Sequence, residues 1–529
     1  MRQTTLSVAL EVKPESYGRL TALLDAFRAR SPYDGLHARV PRLHFMSLSV
    51  FPGYDYDPLF VVEANFDGQP DDFWAELDGL AADELRAMLR CCKRPRDNDA
   101  PLYDAVLAAS AAPGRYLAKR ALRPSVFHHG NRGLTRDRIL DERALFLASR
   151  DAIAAGENSY RALDPDGIHR RLRGDLLARF GWLAAPGTPR IPPAQNVADF
   201  ARLIGLVLLL LLALALPGLV LKSVMPWPWF AALGSGLLLA FAAVLWRIGA
   251  PLEGTGTPTR FSFTRFFLSK VLLPGALAMG CYILLVAAVT ATLVSIATDR
   301  PWGEAFDDAA AWAAWGGASI VVTIAGLAVW LRYLERRDAS QEAPPVDSEL
   351  LRQMATREDW VPQNHMGSIV LIKPGILRAI VVRVGHLALH LLLRAAPKAR
   401  QGYLGSMRTI HFAHWARVNN GSRLMFFSNF DQTWESYLND FIEKAHLGLT
   451  LAWSCGIGFP PARFLVKDGA AHGFQFKEWA RHSMAVSRFW YSAYPDLTAD
   501  QIERNHRLAE GLRKPSLTGA AAAEWALDL

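Results

Sequence analysis

The sequence predicts an α+β protein in which two copies of one β-α-β-β-α-β unit flank a block of four membrane-spanning helices. Three observations carry this expectation. Four long apolar stretches lie together between residues 203 and 331. The segments before and after them share strings in the same order at fixed spacing. Each segment also alternates short period-two runs with longer runs of helical period.

The first unit spans residues 1–150. Residues 4–12 alternate as a strand, and Pro14 and Glu15 then open a helix that carries Leu20, Leu23, Leu24 and Phe27 at helical spacing. Strands follow over 43–51 and 59–64, then a helix from about Asp72 towards Cys92. A further helix and a strand near Phe127 extend the unit. A helical linker occupies 151–200. In it Ile168, Leu172, Leu176 and Leu183 recur among Arg170, Arg171, Arg173 and Arg179. That pattern suits a helix lying on an anionic membrane surface, and equally a solvated surface helix.

The membrane block covers 201–333. Its stretches, 203–221, 229–245, 271–297 and 311–331, approach or exceed the roughly 20 residues a helix needs to cross a bilayer. Pro217 and Pro274 are tolerable there because neighbouring helices satisfy freed backbone groups. The loop between the second and third stretches carries Arg247, Arg260, Arg265 and Lys270, and the fourth stretch ends in Arg332, Arg336 and Arg337. The loop between the third and fourth is acidic, with Asp299, Glu304, Asp307 and Asp308 against Arg300. The positive-inside rule then places both soluble parts in the cytoplasm, on the inner membrane, although Lys222 in the short first turn counts against it. No stretch holds a central charged residue, which favours an anchor over a transporter. A neutral conduit is the alternative.

After a linker over 334–365, the second unit spans 366–515 and a tail 516–529. Its expected elements are a strand over 368–373, a helix over 376–393, strands over 409–418 and 423–428, a helix over 434–445 and a last core strand over 449–455. Asn65 and Asn429 align within LFVVEANFDG and LMFFSNFDQ, and the register then holds to Cys91 and Cys455. FHHGNRGLT at Phe127 matches WYSAYPDLT at Trp490, with Ile139 and Ile502 following at equal distance. Three matches in one order imply duplication. Such sheets carry helices on one face and an apolar surface on the other, so the copies are expected to bury those surfaces against each other.

Composition excludes several classes. The 529 residues are 51% hydrophobic and 20% charged, with net charge +8. The basic residues are dispersed and many flank apolar segments, which points to a lipid bilayer and away from nucleic acid. Cys91, Cys92, Cys281 and Cys455 have neither disulfide-framework nor zinc-ligand spacing. No His-Glu-x-x-His, Gly-x-Ser-x-Gly or phosphate-binding Gly-Lys-Ser/Thr string occurs.

The candidate site residues come from the duplicated positions. His44 and His411 stand near the start of the second strand of each copy, and Asn65, Asp67, Asn429 and Asp431 end the third. Strand alternation puts His411 on one face with Trp415 and Arg417, and sends His414 to the other. The expected centre is therefore His411 with Asp431 and Arg417, with Asn429 and Trp415 beside an apolar or planar ligand. His44 and Asp67 are their counterparts in the first copy. The competing role for the Asn and Asp residues is turn formation and helix capping.

The order of elements and the duplication resemble the dimeric α/β barrel superfamily, which is built on the split βαβ, ferredoxin-like arrangement. Dye-decolourising peroxidases, chlorite dismutases and antibiotic-biosynthesis monooxygenases are among its members. Dye-decolourising peroxidases carry a Gly-x-x-Asp-Gly string with a distal Asp. Here Ala64-Asn65-Phe66-Asp67-Gly68 keeps the Asp-Gly and replaces the first Gly, and the second copy has Gln432 in place of the last. The strings TIHFA, FSNFD-x-x-WESYL and WYSAYPDLT also resemble an uncharacterised bacterial family. The superfamily resemblance implies two ferredoxin-like halves closing an intramolecular α/β barrel, a peroxidase-like oxidoreductase activity and haem as its cofactor. A non-catalytic scaffold or binding module is the alternative.

Overall fold

The computed structural model describes residues 3–53, 56–187, 189–249, 273–338, 345–404 and 406–529. Arg260, Arg265 and Lys270 of the basic loop lie outside the described residues.

The chain is mixed α+β with antiparallel sheets. The first sheet is formed by β1 (Gln3–Glu11), β2 (Leu43–Phe51) and β3 (Leu59–Asp67). The second is formed by β5 (Gln363–Leu371), β6 (Ile410–Val418) and β7 (Arg423–Asp431). The short strand Ala121–Leu122 pairs with β1, and two further strands cross over. β4 (Val126–His129), from the first half of the chain, pairs with β6, and β8 (Ser487–Ser492), from the second half, pairs with β2. The sequence attached each of these strands to its own unit, yet each extends the other unit's sheet. This reciprocal exchange covers the β2 and β6 edges, which would otherwise present unpaired backbone groups.

Each sheet has one face under helices. Against the first lie α1 (Tyr17–Ala29) and α2 (Pro70–Leu89), whose Leu20, Leu24, Phe73 and Leu77 bury against Met46, Leu48, Val62 and Ala64. The opposite faces meet. Phe51, Leu59 and Val61 pack there with Ile369, Ala416, Val418, Met425 and Phe427. The sequence reading expected this shared layer to be apolar, but Ser7, Ser47, Glu63, His414 and Asn429 are buried in it too.

The expected strand over 449–455 is absent. The helix α10 (Trp434–Trp453) runs into this segment, and only an isolated bridge joins Ile372 to Gly456. Leu449 and Trp453 stand four apart and share the apolar cluster of the second sheet, so helical period wins over the short apolar run. In the first half Val12 and Cys92 form the matching bridge.

α3 (Arg136–Ala155) packs beside α11 (Ala499–Arg513), and α4 (Pro165–Leu177) lies against them and against α12 (Gly519–Ala526). Leu172, Leu176 and Leu183 are buried with Leu508, Leu512 and Trp525. The apolar stripe of the linker is therefore spent inside the protein, not on a membrane surface.

Among the described residues five helices are long and apolar enough to cross a membrane, one more than the four stretches read from sequence. They are α5 (Pro193–Lys222), α6 (Trp227–Ile248), α7 (Leu273–Thr298), α8 (Trp302–Arg336) and α9 (Ile376–Ala395). α5, α6 and α7 each pack on α8. Gly218 lets α5 approach closely, with its N–H donating to Ser319 Oγ at 2.9 Å. α9 instead packs on β4 and α5. It buries Leu377, Val382, Leu391 and Leu393 and exposes Ile376, Ile380, Leu387 and Leu392. The α/β body meets one end of the helical block. Arg132 and Arg394 bind Asp199 in the second turn of α5, at 2.9 and 3.0 Å. Arg332 near the end of α8 donates to Ile248 O of α6 and Ala462 O, at 2.8 and 3.2 Å.

Candidate functional site

His44 and His411 are in equivalent surroundings. His44 Nε2 lies 3.1 Å from Asp67 Oδ2, and that oxygen also accepts the Arg136 N–H at 2.8 Å. His411 Nε2 lies 2.8 Å from Asp431 Oδ1, and Asp431 Oδ2 accepts the Ala499 N–H at 2.8 Å. Each aspartate thus ties a strand end to the first residue of a helix, where a carboxylate interacts favourably with the helix dipole. The helices are α3 and α11, not those that directly follow the strands. The two sites differ in one respect. Tyr494 Oη lies 2.8 Å from His44 Nδ1, whereas His411 Nδ1 is buried without a hydrogen-bond partner.

The expected grouping of His411 with Trp415 and Arg417 does not form. The β6–β7 register shifts between Ile410 and Phe412, so His411 is the extra residue of a β-bulge. A bulge resets the alternation of side chains. His411 therefore faces the first sheet beside Phe45, with ring centroids 5.3 Å apart. His414 faces it too, with Nε2 2.7 Å from Ser7 Oγ. Trp415 stacks obliquely on Phe426 at 4.5 Å under the helices, and Arg417 is near His386 of α9. β2 carries the same bulge between Leu43 and Phe45.

A haem group does not fit these histidines. Both Nε2 atoms are engaged by aspartate, and the rings are wedged between the sheets against Phe45, Phe412 and Tyr494. His44 is 0% exposed and His411 2%.

Asn429 belongs to a second buried polar group centred on Glu63. Glu63 accepts from Asn65 Nδ2, from Ser47 Oγ at 3.2 Å and from Asn429 Nδ2 at 3.5 Å. Trp490 Nε1 donates to Asn429 Oδ1 at 2.8 Å. Burial pushes the Glu63 carboxyl up to about 8, against the pull of these donors. Burial likewise pushes His365 and His414 down to about 3, so no cation faces Glu63 from the second sheet.

A cavity lies elsewhere, where the end of α8 meets α9 and α10 (Trp434–Trp453). Its volume is about 110 Å³. Leu331, Val381, Val382, Leu389, Leu451 and Ala452 give it apolar walls. Gly385 of α9 and Gly448 of α10 also line it, and a Cβ on either would meet nothing within 4 Å. The polar part is a charge cluster. Lys373 Nζ and Arg378 Nη2 converge on Asp338 Oδ2, at 2.7 and 3.2 Å. Burial pulls the Lys373 ammonium below its ordinary value, while Asp338 opposes this. His386 Nδ1 is 2.8 Å from Ser125 Oγ, and burial, aided by Arg417, lowers this imidazole to about 4, leaving it neutral at pH 7. Glu335 at the rim accepts the backbone N–H groups of Phe464 and Leu465 at 3.0 and 2.9 Å.

None of these lining residues stood out in the sequence. Their one local trace is a glycine in the middle of each of two apolar helices, where glycine costs about 1 kcal/mol relative to alanine. One further cluster, Glu142, His506 and Glu510, has metal-ligand spacing among the described residues. Arg138 bridges both of its carboxylates, at 2.8 and 2.7 Å, and the cluster reads as an ion-pair network between α3 and α11.

No family model, curated protein or solved structure matches this chain.

Proposed function

We propose that this is a membrane-associated binding protein that holds an apolar chain in the cavity between α8, α9 and α10. In this reading the two α/β units are diverged copies of a ferredoxin-like unit that close an intramolecular barrel, anchored on the cytoplasmic side. The single observation that carries it is the position of the cavity. It has apolar walls, one of which is the end of an apolar helix, and it adjoins exposed Ile380, Leu387 and Leu451. An apolar cavity of roughly 150 Å³ accepts benzene. This one therefore suits a few methylene groups of a chain, each contributing about 0.8 kcal/mol when buried. The duplication reading is supported by the matched bulges, the matched histidine–aspartate pairs and the kinks at Ala81 and Ala445. Oxidative chemistry, implied by the superfamily resemblance, gains no support from the packed histidines.

The test is native mass spectrometry of the full chain released from lipid nanodiscs. An acyl-compound adduct should appear on the wild-type chain and vanish from the Gly385→Leu/Gly448→Leu variant, whose new side chains fill the void. An adduct of equal abundance on both proteins would refute the reading.

A further inference from the structure

We infer that the chain held in this cavity ends in an anionic head, a carboxylate or phosphate, recognised by Lys373 and Arg378. The inference rests on the binding reading above and names the class of its ligand.

Three observations converge on it. First, two cations share one carboxylate oxygen. Lys373 and Arg378 both reach Asp338 Oδ2, so this triad carries one positive charge in excess. Second, the triad is buried. The side chains of Lys373, Arg378 and Asp338 are 7%, 12% and 9% exposed, which strengthens their interaction with a further charge. The other acid of the lining, Glu335, is already turned to the Phe464 and Leu465 N–H groups and to Arg332. The buried imidazole, His386, is held neutral. Third, the polarity is graded. The charges lie at the Lys373–Asp338 end, and Leu389, Leu451 and Gly448 line the remainder. Lys373 also donates to Ser454 O at 3.2 Å and Arg378 to Leu334 O at 3.3 Å, so both cations are held in place. An amphiphile with one anionic end matches that gradient and offsets the triad's excess positive charge, which a neutral hydrocarbon does not.

Access is provided by the outer face of α9. Ile376, Ile380, Arg383 and Leu387 recur at helical spacing and are exposed. An apolar stripe broken by one arginine is suited to the boundary between lipid chains and headgroups. A molecule leaving a bilayer would meet this stripe before the cavity.

The test is photolabelling of the full chain in zwitterionic nanodiscs with three 16-carbon diazirine probes: the acid, the phosphate monoester and the alcohol. Labelling of peptides from α9 and α10 is read against labelling of α5–α7, which reports partition into the bilayer. A charge-assisted hydrogen bond supports roughly tenfold preference for an anionic probe over the alcohol. Lys373→Met should bring the three probes to parity, with Arg378→Gln as a second variant should the first misfold. Whichever anion labels more strongly identifies the natural head. Equal labelling by the alcohol and both anions in the wild-type chain overturns the inference and leaves the binding reading standing. Labelling of α9 and α10 no greater than that of α5–α7 by any probe overturns both.

Discussion

Glu63→Gln should stabilise the protein, and increasingly so as pH rises. Glu63 is 0% exposed, and its donors are Asn65, Ser47 and Asn429, all neutral. A titratable group facing it from the second sheet is His365, with Nε2 3.9 Å from Glu63 Oε2, and burial keeps that ring neutral down to about pH 3. Desolvation is thus opposed by neutral donors alone, and the folded carboxyl titrates at about 8 against 4.5 in an ordinary setting. A carboxyl raised on folding contributes stability that is fully present below the unfolded value and is lost as pH climbs through the folded one. The loss accrues at about 1.4 kcal/mol per pH unit between the two values, with a ceiling near 5 kcal/mol. Gln keeps the shape and has no charge to bury. Neutral histidines make the whole protein less stable below about pH 6.5, so the informative quantity is the difference between variant and wild type. Tryptophan fluorescence during thermal unfolding in one detergent measures it at pH 5 and pH 8. The variant should match wild type within about 1 kcal/mol at pH 5 and exceed it by several degrees in midpoint at pH 8, given roughly 2–4 °C per kcal/mol for a chain of this size. A variant destabilised equally at both pH values would show that Glu63 is an ionised acceptor that the network needs, and would refute the reasoning.

His44→Ala should cost more stability than His411→Ala, about 2–3 against 1–2 kcal/mol, because His44 loses both Asp67 and Tyr494 while His411 loses Asp431 alone; unfolding midpoints of the two variants check it. Gly448→Ala should raise stability by about 1 kcal/mol through helix propensity, since a methyl group there meets no protein atom within 4 Å. A raised midpoint in thermal unfolding checks it. Reporter fusions at residues 150, 304 and 529 should place the first and last on the cytoplasmic side and the second outside, and an external signal from either terminal region would contradict the four-span anchor.

Much of the scaffold is legible in the sequence because its signals are local. The second strand, Leu43–Phe51, is bracketed by Pro41 and Pro52 and falls where alternation places it. The long apolar helices declare themselves by length. What escapes is decided by distant partners. Nothing near Phe127 or Trp490 says that these strands join the opposite sheets. The bulges at His44 and His411 are silent in Leu-His-Phe and Ile-His-Phe, and one inserted residue separates His411 from Trp415 and Arg417. Helix α10 outruns the expected strand because Leu449 and Trp453 find partners in the second core. The two matching histidine–aspartate pairs are legible in the sequence, and they do the capping and tethering that Asn and Asp do at strand ends. The cavity is assembled from four separate segments, and only Gly385 and Gly448 hint at it.

A density map of the full chain extracted with its native lipids tests the central claim most directly. The account predicts an elongated non-protein feature inside the cavity between Leu331, Val382 and Leu451, with its polar end within hydrogen-bonding distance of Lys373. A cavity closed by its own side chains, or holding only isolated water-sized density, would contradict it.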